Sequence, residues 1–289
     1  MSEYTAPKFY ETRKFKRNLK SWTITLILIA GSIVLLLPLW WMVSTSLKSP
    51  AEIAQYPPTF IPNEFHFENY VDAWKTAPFT RWAMNTMFIA VVGTIGAVLV
   101  NSLVAYAFAK IRFKGRNALF VIVLSTMLIP GFVTMVPQYI LFSKLGWLNT
   151  YLPLIVPAFL GSAFFIFLLR QFMMTIPNSL IEAAILDGAN HLQIWWHIMV
   201  PLTKPALMTV AIFNFTGAWN DLLGPLLYIN DERLYTLQIG LQTFKGTVQT
   251  QWHYLMAMSV MVLLPIVLIF FLFQRYFIEG SNISSGTKG

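Results

Sequence analysis

Long apolar stretches, each about as long as a bilayer is thick and nearly free of charge, constrain this chain more than any other feature. A helix rises about 1.5 Å per residue, so about 20 apolar residues cross the hydrocarbon core. Stretches of this kind lie near 22–46, 83–109, 117–143, 151–169, 205–229 and 253–274. Of 289 residues, 56% are hydrophobic and 11% charged, against about 25% charged in a soluble domain. The expected fold is therefore all-α, a polytopic membrane protein with six transmembrane helices. Pro130, Gly131 and Pro137 interrupt the third stretch, which predicts a kinked or broken helix, tolerated in a membrane where protein or a water-filled cavity covers the freed backbone. The first stretch has no small-residue cleavage site after it and reads as a retained anchor rather than a signal peptide.

The net charge of +8 does not point to nucleic acid, because the charges sit in short clusters between apolar runs. Most of the 20 Lys and Arg fall on one side. That side holds Lys8, Arg13, Lys14, Lys16, Arg17 and Lys20, the 110–116 loop with Lys110, Arg112, Lys114 and Arg116, and Arg170, Lys204, Arg275 and Lys288. The positive-inside rule makes this side cytoplasmic, with both termini. The chain then divides into a basic cytoplasmic tail 1–21, a first transmembrane helix 22–46 and a Pro/aromatic-rich extracytoplasmic loop 47–81. A five-helix core 82–275 follows, carrying a cytoplasmic loop at 175–204, and then a cytoplasmic tail 276–289. With no cysteine, disulfide and thiolate chemistry are excluded.

The cytoplasmic loop carries the most specific local signal, "EAAILDGANHLQIWWHIMVP" at 182–201. Ser179-x-x-Glu182 is a capping-box pattern behind Pro177 and predicts a helix from 179 to Asp187. Gly188 supplies a left-handed helix end at no steric cost. Asn190 caps a second helix bearing Trp195 and Trp196, which Pro201 ends. Ala183 and Ala184 leave a smooth surface for another protein. Read residue by residue, the loop fits equally well an amphipathic segment packing on its own span ends.

Taken whole, Glu182-Ala183-Ala184, then Gly188, then Ile198-Met199-Val200-Pro201 resembles the EAA loop of ABC-importer permeases, with Val200 in place of leucine. From about residue 68 onward, "AYAFAKIRFKGRNALF", "LIPGFVTMVPQYILFSKLGWLNTY" and "GAWNDLLGPLLYIND" resemble the MalG-type permeases of carbohydrate ABC importers. The resemblance implies a bacterial or archaeal inner-membrane subunit that pairs with a second, MalF-like permease. It also implies two cytoplasmic ATPases, which bind ATP and Mg, and an extracytoplasmic solute-binding protein. Glu182, Ala183, Ala184, Asp187, Gly188, Ile198 and Pro201 would then dock on an ATPase, and no cofactor would sit on this chain.

Polar residues within the spans are candidates for the solute pathway, since a buried ionisable group in a membrane is costly. Asn214, Gly217 and Asp221 are spaced to share one helical face. For Asp221 itself the favoured reading is a structural pair with a neighbouring chain near the outer end. Gln138 follows Pro137 at an expected helix break. Asn101 belongs to the stripe Gly93, Ala97, Asn101, Ala105, Ala109, whose four-residue spacing favours close helix packing. The four histidines have no ligand spacing that completes a zinc site, and neither a phosphate-binding loop nor a hydrolase motif occurs. A secondary transporter or channel would leave the exposed double-helix loop without a role, and a membrane enzyme would need an acid, base or metal constellation that the spans do not offer.

Overall fold

The computed structural model describes residues 13–246 and 250–285, with side chains for 21–246 and 250–274. The ends of both predicted tails, with Lys8 and Lys288, lie outside the described residues. In chain order the helices are α1 (Arg13–Ser46), α2 (Pro50–Ile53), α3 (Glu68–Lys75), α4 (Phe79–Lys110), α5 (Arg116–Ser125), α6 (Gly131–Lys144), α7 (Leu152–Ile155) and α8 (Ala163–Met174). They continue as α9 (Asn178–Leu186), α10 (His191–Ile194), α11 (Val200–Leu202), α12 (Lys204–Trp219), α13 (Leu223–Tyr228), α14 (Leu237–Gln242) and α15 (Trp252–Ser285). Among the described residues the β pairing is one isolated bridge, Lys245 to Thr250.

Among the described residues, four helical stretches are long and apolar enough to cross a membrane: Ser21–Ser46, Phe79–Lys110, Leu152–Met174 and Trp252–Gln274. Two bent pairs raise the number to six if each counts as one span. Arg116–Leu128 and Gly131–Lys144 meet at 97°, and His191–Leu202 and Lys204–Trp219 at 83°.

α4 is the hub, packing on α8 and α12, while α12 packs on α15, and α15 on α1 and α3. The small-residue stripe explains this: Gly93, Ala97, Asn101 and Ala105 are all buried. At Gly96 even one added carbon would collide with the Phe159 ring. Two of the three apolar clusters among the described residues lie at the two ends of α4. One joins Tyr106, Leu169, Met173, Ile194, Met199 and Val210 at the α9–α11 end. The other joins Phe79, Trp82, Trp219, Leu237 and Met258 at the opposite end. α1, by contrast, exposes nearly every side chain from 21 to 41, including Leu35 at 80%. Such a surface suits lipid or another membrane chain rather than water.

Several boundaries differ from the sequence reading. The break in the third span falls at Pro130, where Ile129 is forced extended by the proline ring that follows it. Pro137 stays inside α6, so Gln138 does not sit at a break; it lies exposed within a continuous helix. The fifth span is not one helix over 205–229. α12 stops at Trp219, and α13 starts at Leu223. Pro225 has no N–H to continue the ladder, and the Asp221 carboxylate accepts the Gly224 N–H at 3.1 Å instead. α15 runs to Ser285, through most of the expected C-terminal tail.

The 47–81 loop is tightly folded. The Lys48 ammonium donates to the Thr59 carbonyl and lies 4.8 Å from the Trp41 ring centroid. Glu52 accepts from the Thr59 hydroxyl at 2.7 Å and the Asn63 N–H at 3.0 Å. Burial lowers the Lys48 pKa from the ordinary lysine value, opposed by the nearby Glu52 carboxylate. On the 230–252 segment, Arg233 grips Asp231 at 2.6 Å and holds that carboxyl at about 2.

Candidate functional site

The segment from α9 to α11 is built to be both anchored and presented. Lys110, the last residue of α4, donates to the Ile176 carbonyl at 2.5 Å and the Asn178 side chain at 2.9 Å, which fixes where α9 begins. Pro177 occupies the N-cap and offers no side-chain acceptor. The predicted capping box of Ser179 and Glu182 is therefore absent, and Glu182 is left exposed.

α9 ends as expected. Gly188 has φ +86°; its N–H reaches the Ile185 carbonyl at 3.0 Å, and the Ala189 N–H reaches the Ala184 carbonyl at 2.9 Å. This pair of bonds is a Schellman motif, which needs the left-handed conformation at that position. Asn190 then caps α10 through a reciprocal box with Gln193, at 2.9 and 2.8 Å.

Pro201 does not end the second helix where the sequence places the stop. Lacking an N–H, it cannot bond the His197 carbonyl, and residues Trp195–Met199 widen into a π-helical turn of the kind that relieves a lost donor. The chain turns only at Thr203, whose hydroxyl accompanies its N–H on the Met199 carbonyl.

One side of this double helix is buried. Ile181, Ala184, Ile194, Trp195 and Met199 pack on Tyr106 of α4, Leu169 and Met173 of α8, and Leu207 and Val210 of α12. Tyr106 also shares a 3.0 Å hydrogen bond with His191. Exposing Ile194 and Met199, both fully buried, would cost about 2 kcal/mol each. The segment is therefore fastened to three membrane helices. Its other side is open: Glu182, Ala183, Asp187, Gly188 and Pro201 are exposed, with Leu186 at 89%. Ala184 is not on that surface; it faces inward at 8% exposure. Ile198 is half-buried against the same cluster.

The intramembrane candidates separate. Asn214 donates to the Thr94 hydroxyl at 3.2 Å, bridging α12 to α4, while Gly217 is exposed with open space where a side chain would go. Asp221 lies beyond the end of α12, so it does not share a continuous helical face with them. Asn101 is 1% exposed and turned to structure. Its side chain donates to the Ala97 carbonyl at 2.6 Å and accepts the Ser162 N–H at 2.7 Å. It thus fixes the start of α8 after Gly161, whose φ is +89°. Sequence reasoning did not pick out Tyr106, His191, Lys110 or Thr203 as parts of the site. The half-box Asn190-x-x-Gln193 was the local sign that the second helix is firmly placed.

The chain is a helical membrane protein with one helical pair seated on three of its helices and exposed on its other side, a form that suits a transport subunit. The family described as "Binding-protein-dependent transport system inner membrane component" matches residues 97–280, and the chain belongs to that family. It is similar to the arabinooligosaccharides transport system permease protein AraQ of Halalkalibacterium halodurans, 34% identical over 272 residues, which are 93% of this chain and 97% of that protein. It is also similar to the sn-glycerol-3-phosphate transport system permease protein UgpE of Yersinia pestis, 32% identical over 263 residues, 88% and 93% of the two chains. A crystal structure of a bacterial ABC transporter involved in the import of the polysaccharide alginate superposes with a TM-score of 0.81. It is 26% identical and covers 94% of this chain and 100% of that one.

Proposed function

We propose that this chain is one of two permease subunits of an ABC importer for a sugar, an oligosaccharide or a related polyol phosphate. An extracytoplasmic binding protein delivers the solute, and residues 182–201 couple its passage to two cytoplasmic ATPases that bind ATP and Mg. The observation that carries this reading is the α9–α11 pair, rooted on α4, α8 and α12 and open on its Glu182–Ala183–Leu186 side. In this reading both termini and residues 175–204 are cytoplasmic, in keeping with the distribution of basic residues. The exposed apolar surfaces of α1, α5 and α6 suit a second, MalF-like permease and lipid. Closure of the ATPases would draw the helical pair inward, and the three attached helices would follow as rigid bodies.

Gly217, with Asn214 one turn before it, lines the pathway in this account. Gly217 has open space around it, so Gly217→Trp should fold and assemble normally while initial solute uptake into reconstituted vesicles falls to a small fraction. Unchanged uptake and solute range in that variant would place this face of α12 against lipid or a structural neighbour.

A further inference from the structure

The turn between α4 and α5 gathers cations that no carboxylate among the described residues pairs with. Arg112 and Lys114 are exposed and have neither a hydrogen-bond nor an ion-pair partner among the described residues. Arg116 donates to the Ile111 carbonyl at 3.3 Å. Arg170 of α8 donates to the Phe108 carbonyl at 3.3 Å and lies 4.1 Å from the Phe120 ring centroid. Their partners are neutral. Like charges brought together this way repel, unless an anion joins them.

Arg112, Gly115, Arg116 and Asn117 are among the residues that line an open surface depression here, with Lys114 and Arg170 outside its lining. The Asn117 and Ala118 N–H groups at the start of α5 have no acceptor among the described residues. That adds a favourable dipole for an anion.

We propose that this turn, with Arg170 behind it, binds the phosphate of an anionic phospholipid. The occupant follows from where the turn must lie. The turn, residues 111–115, joins two helices of the membrane-spanning part, α4 and α5. Directly below the cations, Leu119, Val121 and Ile122 of α5 are exposed and give acyl chains an apolar track. Basic pockets between membrane helices are suited to anionic headgroups. Binding requires only a membrane-spanning chain. Its assignment to the cytoplasmic leaflet rests on the orientation proposed above, and a measurement in detergent is indifferent to that orientation.

The full-length chain, in the complex with which it purifies, would be delipidated and titrated with phosphatidylglycerol or phosphatidylcholine under native mass spectrometry. The wild type should retain phosphatidylglycerol preferentially. Arg112→Gln with Lys114→Gln, which removes no hydrogen bond or ion pair among the described residues, should weaken that retention on the order of tenfold. Arg112→Lys with Lys114→Arg should preserve it, as should Lys144→Gln at the far end of α6. Equal retention of the two lipids, or an unaffected Gln variant, would overturn the proposal. Displacement of the lipid by millimolar glycerol phosphate would make this a site for soluble phosphate and refute lipid as the occupant. Loss of another subunit from the Gln variant with lipid retention unchanged would make it a protein contact.

Discussion

Gly188→Val should abolish solute uptake while the chain still inserts and the binding protein still binds solute. Apart from Gly188 and its two neighbours, no atom of the described residues lies within 4 Å of where the new Cβ would sit, so crowding at the Cβ is not the cause. The cause is φ of +86°, which a β-branched residue adopts only with strain of about 1–3 kcal/mol. Relieving that strain means undoing the Schellman bonds to Ile185 and Ala184, and with them the angle between α9 and α10. Because the buried side of the pair grips α4, α8 and α12, a loosened corner transmits movement with slack. Gly188→Asn should retain much of the uptake, since asparagine tolerates the left-handed region far better than valine. Uptake and solute-stimulated ATP hydrolysis in reconstituted vesicles measure both variants. Wild-type values for valine would show that the loop is only a connector.

Asn101→Leu should act differently, by lowering the amount of folded transporter rather than its coupling. The asparagine is buried and bridges α4 to the start of α8 through Ala97 and Ser162. Leucine leaves the Ser162 N–H without its acceptor, at about 1–3 kcal/mol, and no bulk water reaches a bilayer core to replace it. The monodisperse peak of detergent-extracted protein should shrink and its unfolding temperature should fall. Gln138→Leu, at an exposed position in α6, should leave both unchanged. Equal behaviour of the two variants would mean that Asn101 is not a structural tie.

Much of this was legible locally. Apolar run length marked the membrane helices, Pro130 marked the break, and Gly188 and Asn190 marked the end of one helix and the start of the next. These signals act within a few residues, where backbone sterics and hydrogen bonds decide. What escaped depends on distant partners. Asn101 is spent on Ser162, 61 residues away, and α9 starts where Lys110 of α4 holds Asn178. Ala184 turns inward because α9 lies down on the ends of other helices, which no helical periodicity in nine residues can announce. The division of 205–229 into α12 and α13 was in principle readable from Gly224-Pro225, but hydropathy alone ran across it.

The central claim is that the open side of α9 meets an ATPase in the cytoplasm. Its most direct test is a photo-crosslinking residue at Leu186, which is 89% exposed and makes no contact on which the fold depends. In intact cells it should capture a nucleotide-binding subunit, identified by its phosphate-binding loop peptide, and an equivalent residue at Pro58 in the outer loop should not. Capture of an extracytoplasmic binding protein at Leu186, or of no ATPase in a complex that still imports solute, would contradict the account.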